Sequence, residues 1–269
     1  MNSVMRLSPV VVVAVLALAP AMVALPASPA AAQMQLTGDR IPAASGGDIV
    51  VHPMHHATLA LSWNGKVIYV DPAGAPGGDG AASAAAAFKG LPPPDLILVT
   101  DIHGDHFSAP TLADLAGSNT RIVAPQAVID QMPDELKAKT TAVANGQTVT
   151  IDTIMIEGVP MYNLTEERLK FHAKGRGNGY VVTLGGRRVY IAGDTEAHPE
   201  MKALKNIDVA FVPMNLPYTM TPEQAAEGVL AFGPSIVYPY HYGESDVAAF
   251  AKLVGANPDI DVRQRNWYR

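Results

Sequence analysis

The residues best suited to chemistry in this sequence lie in one short segment, Asp101-Ile102-His103-Gly104-Asp105-His106. It combines imidazoles with carboxylates and directly follows the apolar run 95–100. Imidazole nitrogens and carboxylate oxygens are ligands for zinc and related divalent ions in proteins. The segment therefore fits a metal site, although ordinary loop histidines and helix-capping aspartates would give the same pattern.

Two later segments also place a potential ligand directly after an apolar strand. Asp194 follows the run 189–192, and His241 follows 236–238. Because strand ends converge at one edge of a layered sheet, where ligands bind, we expect these side chains to lie near the first segment. His172 lies in a glycine-rich connection before another expected strand. The combination favours a metal site over unrelated loop residues.

Thr100-Asp101-Ile102-His103-Gly104-Asp105-His106 resembles the Thr-His-x-His-x-Asp-His signature of the metallo-β-lactamase superfamily. His55-His56-Ala57-Thr58 and Tyr69-Val70-Asp71-Pro72 look like the Gly-His-Ala-Ser and Val-Asp-Pro segments of one branch. That branch contains ascorbate-phosphate lactonase and N-acyl-phosphatidylethanolamine phospholipase D. The resemblance covers nearly all of the mature chain, from about Asp48 to Gly243.

The resemblance implies a single α/β domain over residues 48–269, folded as the four-layer αββα sandwich of this superfamily. It also implies two metal ions about 3.5–4 Å apart, which share a water and lower its pKa so that hydroxide can attack a substrate. Zinc, one ion or two, is the expected metal, with manganese or iron as alternatives. The implied ligands are His103, His172 and position 101 for one ion, Asp105, His106 and His241 for the other, and Asp194 as the bridge.

Asp101 departs from the family pattern, which usually has histidine at this position. A carboxylate can coordinate zinc at about 2.0–2.2 Å, but this side chain is shorter than histidine and carries a negative charge. The first site could then be weak, tolerant of manganese or iron, or empty. Alternatively, Asp101 only hydrogen-bonds a neighbouring ligand.

Three residues are candidates for catalysis: Asp105, His56 and Tyr218. The resemblance places His56 near the metals, where it would bind substrate, transfer a proton or simply pack behind the site. Tyr218 follows an expected strand end and could donate a hydrogen bond to an oxyanion. Asp71 is expected to orient a metal-ligating histidine rather than to bind metal.

Two cations near His172 are a further possibility. Lys174 and Arg176 could attract an anionic substrate, although cations in loops are more often simply solvated.

An αβ domain with no internal boundary is expected to position these residues. The clearest element is a hairpin that turns at Asn64-Gly65, and a second hairpin turning at Gly185-Gly186 resembles it, a slight indication of two similar halves. A helix should open at Thr221 with a capping box to Gln224. Other expected strands are 95–100, 121–123, 147–157, 207–213 and 235–238, and other expected helices are 81–88, 109–115, 126–138 and 245–254.

The first 32 residues have the features of a signal peptide. A short basic start precedes the apolar run 10–25, and Ala30-Ala31-Ala32 provides a cleavage site before Gln33. A membrane anchor is the alternative, but four prolines interrupt the segment and its unbroken part is short for a span. Residues 33–47 read as a flexible lead-in. We therefore expect a periplasmic or secreted protein.

The composition limits the partners. The 269 residues include no cysteine, which excludes disulfides, thiolate metal sites and cysteine nucleophiles. A net charge of −6 without a basic stripe argues against a nucleic-acid partner. Because no second long apolar segment follows the signal, stable membrane insertion is not expected, and the substrate should be a small molecule.

The favoured function is hydrolysis of an ester, lactone or phosphodiester. A β-lactamase or another amide or thioester hydrolase is the enzymatic alternative. A non-catalytic periplasmic protein that binds metal or ligand is the alternative from another class. Competent ligands at every implied position except 101 favour the enzyme.

Overall fold

The computed structural model describes Met1, residues 36–73 and residues 87–268. In this part of the chain, strands form two seven-stranded sheets. The apolar core between them draws side chains from both sheets, and helices cover the outer face of each. The predicted αββα sandwich is confirmed.

The first sheet follows chain order. Its first three pairings are antiparallel and its last three are parallel. The strands are β1 (Asp39–Ile41), β2 (Ile49–His55), β3 (Thr58–Trp63), β4 (Lys66–Val70), β5 (Leu96–Leu98), β6 (Arg121–Ala124) and β7 (Thr140–Ala142).

The second sheet repeats this plan, with three antiparallel pairings followed by three parallel ones. Its strands, also adjacent in chain order, are β8 (Thr148–Ile151), β9 (Ile154–Met161), β10 (Gly177–Leu184), β11 (Arg187–Ile191), β12 (Val209–Pro213), β13 (Ile236–Tyr240) and β14 (Asp261–Val262).

The two halves also share a detail of side-chain anchoring. Asp95, just before β5, accepts a hydrogen bond from the Val67 amide at the start of β4, at 2.9 Å. Asp208, just before β12, accepts one from the Arg188 amide at the start of β11, at 2.8 Å. The similarity of the two hairpins in the sequence thus reflects equivalent positions in two similar sheets.

Helices on the outer faces bury their apolar side chains against the sheets. The capping box between Thr221 and Gln224 is present. The helix predicted over 126–138 is two short helices, because Pro133 lacks the amide hydrogen needed to continue the first one. The helices are α1 (Ala109–Leu115), α2 (Gln126–Ile129), α3 (Asp134–Lys137), α4 (Pro199–Lys202), α5 (Pro222–Phe232) and α6 (Val247–Val254).

The amino-terminal region differs in part from what its sequence predicts. Part of the segment read as a flexible lead-in is strand β1, which pairs with β2 and buries Ile41 in the core. The segment 1–32, apart from Met1, and most of the helix expected at 81–88 lie outside the described residues. Among the described helices, none has the length and apolarity to cross a membrane.

Candidate metal centre

The predicted ligands meet at one edge of the sandwich. Asp194 follows β11, His241 follows β13, and the segment 101–106 follows β5. His172 lies in the connection from β9 to β10, and His56 lies in the turn from β2 to β3. β2 runs in the same direction as β4, and β9 runs in the same direction as β11. Each of these residues therefore follows the carboxyl end of a strand, and these ends lie at the same edge of the two sheets.

One cluster contains Asp105, His106, Asp194 and His241, whose ligand atoms all lie within 4.8 Å of one another. His241 Nε2 lies 3.2 Å from Asp105 Oδ2 and 3.3 Å from Asp194 Oδ1. His106 Nε2 lies 3.4 Å from Asp194 Oδ2. Two imidazoles and two carboxylates therefore face one point.

A second cluster contains Asp101, His103 and His172. His103 Nδ1 lies 2.8 Å from Asp101 Oδ2, and His172 Nε2 lies 3.7 Å from the same oxygen. His172 Nε2 is also 3.3 Å from Asp194 Oδ2, the oxygen that faces His106. Asp194 thus stands between the clusters, as a bridging ligand would.

The donor atoms fit a metal ion. Nε2 of His106, Nε2 of His172 and Oδ1 of Asp194 are buried and have no hydrogen-bond partner among the described residues. Because a buried polar atom without a partner costs about 1–3 kcal/mol, these three atoms call for ligands that satisfy them in both clusters. Divalent cations held by these nitrogens and carboxylates would do so.

Asp71 fixes the orientation of His106. Its carboxylate is fully buried and accepts hydrogen bonds from the Thr100 amide and hydroxyl, each at 2.7 Å. His106 Nδ1 donates to the same carboxylate at 2.9 Å. With Nδ1 protonated, Nε2 of His106 presents its lone pair to the cluster, which is the arrangement that a metal ligand needs. The contacts agree with the orienting role expected for Asp71.

The other imidazoles are held by two connecting segments, in which sequence reasoning missed Asn163 and Asn215. His172 Nδ1 lies 3.2 Å from the Tyr218 carbonyl oxygen, which also accepts a 2.7 Å hydrogen bond from the Asn163 side chain. The side-chain amide of Asn215 lies 3.3 Å from His241 Nδ1. Asn215 shares the segment 215–219 with Tyr218, but no motif in the sequence singles it out.

Tyr218 contributes to the site through its backbone. Its ring packs edge-on against Phe171 at 5.0 Å and is substantially exposed. The contacts therefore place Tyr218 as a support of His172, and the oxyanion role expected for its hydroxyl stays a prediction.

His56 also contacts the first cluster, through Asp105 and His241. Its Nε2 lies 3.2 Å from Asp105 Oδ2, and its ring centroid lies 3.7 Å from that of His241. Nδ1 lies 2.8 Å from the hydroxyl of Tyr268, which also accepts a hydrogen bond from the Gly243 amide. Because the ionised Asp105 carboxylate can only accept, Nε2 of His56 carries the hydrogen and donates it to Asp105, and Nδ1 of the neutral ring accepts from the Tyr268 hydroxyl. Tyr268, far from His56 in the sequence, thus belongs to the site.

Three site residues hold an unusual backbone conformation. His56, Asp71 and His241 have φ values of 52°, 46° and 47°, in the left-handed region that non-glycine residues rarely adopt. Such residues cost about 1–3 kcal/mol each and persist only where the surroundings impose them, typically at functional sites. Each follows the end of a strand, so the turn that leaves the sheet aims the side chain into the centre.

In the first cluster, the carboxylates and the imidazoles shift one another's pKa values. Burial opposes ionisation of Asp194, but the neighbouring His241 and His106 imidazoles hold the pKa of its carboxyl well below the usual value. Burial likewise opposes protonation of His106, yet Asp194, Asp105 and Asp71 together raise its pKa well above the usual value. The carboxylates therefore require a positive charge beside them, from a proton or from a metal ion.

The two cations considered for substrate attraction are neutralised by carboxylates. Arg176 donates to both oxygens of Asp101, and Lys174 pairs with Glu200. With a partner on each, neither is a free positive charge for an anionic substrate. The partners, 75 and 26 residues away, are not visible in the local sequence, and attraction of an anionic substrate by these two residues stays a prediction.

The comparisons with known proteins agree with the geometry. Residues 51–241 match the family model described as "Beta-lactamase superfamily domain". A UPF0173 metal-dependent hydrolase of Pyrococcus abyssi is 32% identical over 178 residues, which cover 62% of this chain and 77% of that protein. Another, from Pyrococcus horikoshii, is 30% identical over 215 residues, covering 76% of this chain and 92% of that protein.

Solved structures show the same fold. The crystal structure of a candidate metal-dependent hydrolase from Parabacteroides distasonis is 39% identical, with a TM-score of 0.76 over 86% of this chain and 99% of that chain. A metallo hydrolase of Ignicoccus hospitalis is similar in fold, with a TM-score of 0.65 and 20% identity over 81% of this chain and 94% of that chain. The chain belongs to the metallo-β-lactamase superfamily and, within it, to the UPF0173 metal-dependent hydrolases.

Proposed function

We propose that this metal-dependent hydrolase cleaves an ester or lactone bond in a small, uncharged and partly apolar molecule. The observation that carries the proposal is the meeting of seven nitrogen and carboxylate ligands in two clusters joined by Asp194. A divalent ion held there would lower the pKa of a bound water and polarise the oxygen of the bond to be cleaved. Zinc suits this donor set, with manganese or iron as alternatives.

Among the protein's own residues, Asp105 is the one that would accept a proton during hydrolysis. Its side chain is 37% exposed, whereas that of Asp194 is 4% exposed. Asp105 is therefore the ligand carboxylate that water and substrate can reach, and because its Oδ2 already faces His56 and His241, its Oδ1 is the oxygen that would accept a proton. The Nε2–H of His56, oriented by Tyr268, donates to Oδ2 and holds the carboxylate in place.

The surface beside the centre favours an apolar substrate. Several of the large hydrophobic side chains that the described residues expose lie on the two segments that support His172: Leu164, Leu169, Leu216 and Tyr218. Exposed apolar groups beside a polar site mark a binding surface for an apolar moiety. Because Lys174 and Arg176 are paired, this surface favours an ester or lactone over an anionic phosphodiester.

A matched substrate panel tests the proposal. Zinc-loaded protein would be assayed on p-nitrophenyl esters of increasing chain length, γ-lactones with and without an alkyl chain, bis-p-nitrophenyl phosphate and nitrocefin. We expect kcat/KM to rise with apolar length among the esters and lactones, and to exceed that for the phosphodiester. Faster turnover of the phosphodiester or of nitrocefin would overturn the substrate class, and no turnover of any of them in protein shown to hold metal would favour the binding-protein alternative.

We also propose that the protein is exported. The apolar segment 10–25 and the small residues before Gln33 support this. Amino-terminal sequencing of protein from a periplasmic fraction should begin near Gln33. An intact Met1 in protein confined to the cytoplasm would contradict export.

A further inference from the structure

The second cluster contains an internal cation. Arg176 Nε lies 3.2 Å from Asp101 Oδ1, and Nη2 lies 3.0 Å from Asp101 Oδ2. The guanidinium thus binds both oxygens of a fully buried carboxylate. Nη2 also lies 3.4 Å from His103 Nε2 and donates to the Phe171 carbonyl oxygen, so the guanidinium is fixed on several sides.

The two clusters consequently differ in net charge. Asp105 and Asp194 give the first cluster two negative charges, and no arginine or lysine is recorded within ion-pair distance of them among the described residues. In the second cluster, the charge of Asp101 is cancelled by Arg176. Arginine stays protonated at all physiological pH values, so this cancellation is permanent.

A metal ion in the second cluster would share an oxygen with the guanidinium. Asp101 Oδ2 is the Asp101 oxygen that faces both His103 and His172, and it already accepts from Nη2. The ion and the guanidinium would then lie a few ångströms apart, a distance at which like charges repel strongly inside a protein.

We propose that Arg176 makes the two metal sites unequal. One ion binds tightly at Asp105, His106, Asp194 and His241, and a second binds weakly at Asp101, His103 and His172 because the guanidinium already compensates Asp101. The inference rests on the proposed metal-binding function of both clusters. It concerns the residues of this chain rather than the family pattern, which has histidine in place of Asp101.

The test is a zinc titration against a chromophoric chelator, with elemental analysis after dialysis, of wild type and matched variants. Arg176→Gln removes the charge and keeps a hydrogen-bond donor, and Arg176→Lys keeps the charge. Lys174→Gln is the control, since it removes one positive charge from the same segment at a residue paired with Glu200. Circular dichroism confirms that each variant is folded.

We expect wild type, Lys174→Gln and Arg176→Lys to bind the second zinc about tenfold or more weakly than the first. Arg176→Gln should bind the second zinc about tenfold or more tightly than wild type does, with the first unchanged. The double variant Asp101→His/Arg176→Gln, which provides three neutral imidazoles, should also bind two ions. It replaces Arg176→Gln in the test if that single variant does not fold.

Two equal affinities in wild type, or loss of the second zinc in Arg176→Gln, would overturn the inference. In the latter case Arg176 would be required to position Asp101 as a ligand. These outcomes differ from failure of the proposed function, which would appear as no tightly bound zinc in wild type at all.

Discussion

We expect Asp194→Asn to abolish stable metal binding and to reduce hydrolysis by more than the roughly 10–100-fold typical of residues that only orient ligands. The physical reason is its position between the clusters, with one oxygen facing both His106 and His172 and the other facing His241. Asparagine keeps the shape but removes the charge and one acceptor. Elemental analysis and kcat/KM on the best substrate of the panel measure the effect.

The same substitution should leave the metal-free fold intact. Asparagine has nearly the same shape as aspartate, so the packing is kept, although His106 loses one of the three carboxylates that raise its pKa in the metal-free protein. In thermal unfolding, wild type should gain about 2.7 kcal/mol from zinc at 100 times its Kd, and Asp194→Asn should gain almost nothing.

Asp208→Asn is the matched control for this substitution. It removes a carboxylate from the opposite end of the same strands, where Asp208 pairs with Arg187 and the Arg188 amide. Its zinc content should equal that of wild type. Full zinc content and activity in Asp194→Asn would contradict a bridging role.

Asp71→Asn tests the arrangement behind the metal ligands. The substitution replaces a buried carboxylate that accepts from His106 Nδ1 and twice from Thr100. Without the charge, the protonated state of Nδ1 and the direction of Nε2 are less well fixed. We expect zinc affinity to fall about 10–100-fold, with a smaller loss when zinc is saturating.

Asp95→Asn is the corresponding control. Asp95 lies beside the amino-terminal ends of β4 and β5, far from the end that carries Asp71, and it binds Lys66 and the Val67 amide. It should change stability slightly and zinc affinity not at all. Equal zinc affinity in Asp71→Asn and wild type would show that Asp71 serves the fold rather than the metal.

Most of the fold could be predicted from local patterns. The hairpins at Asn64-Gly65 and Gly185-Gly186 and the helix opening at Thr221 are confirmed, because turn and capping residues act over a few positions. Strand β1 was missed because it has three residues in a polar context and forms only by pairing with β2.

The candidate ligands could be predicted for a similar reason, since each follows a recognisable strand and matches a family motif. The supporting residues could not. Tyr268 reaches His56 across 212 positions, and Arg176 reaches Asp101 across 75. Such contacts depend on the packing of distant segments, which local spacing does not encode. Whether Asp101 binds metal could not be predicted from the sequence for the same reason, because Arg176, which compensates its negative charge, lies far along the chain.

The most direct test of the account is the position of bound metal. Crystals of the zinc-loaded protein, with diffraction data collected on both sides of the zinc absorption edge, give an anomalous difference map that locates zinc alone. The account predicts a strong peak about 2.0–2.2 Å from Asp105, His106, Asp194 and His241. It also predicts a weaker peak, or none, beside Asp101, His103 and His172. No peak at the first cluster in protein that contains zinc, or a stronger peak at the second, would contradict it.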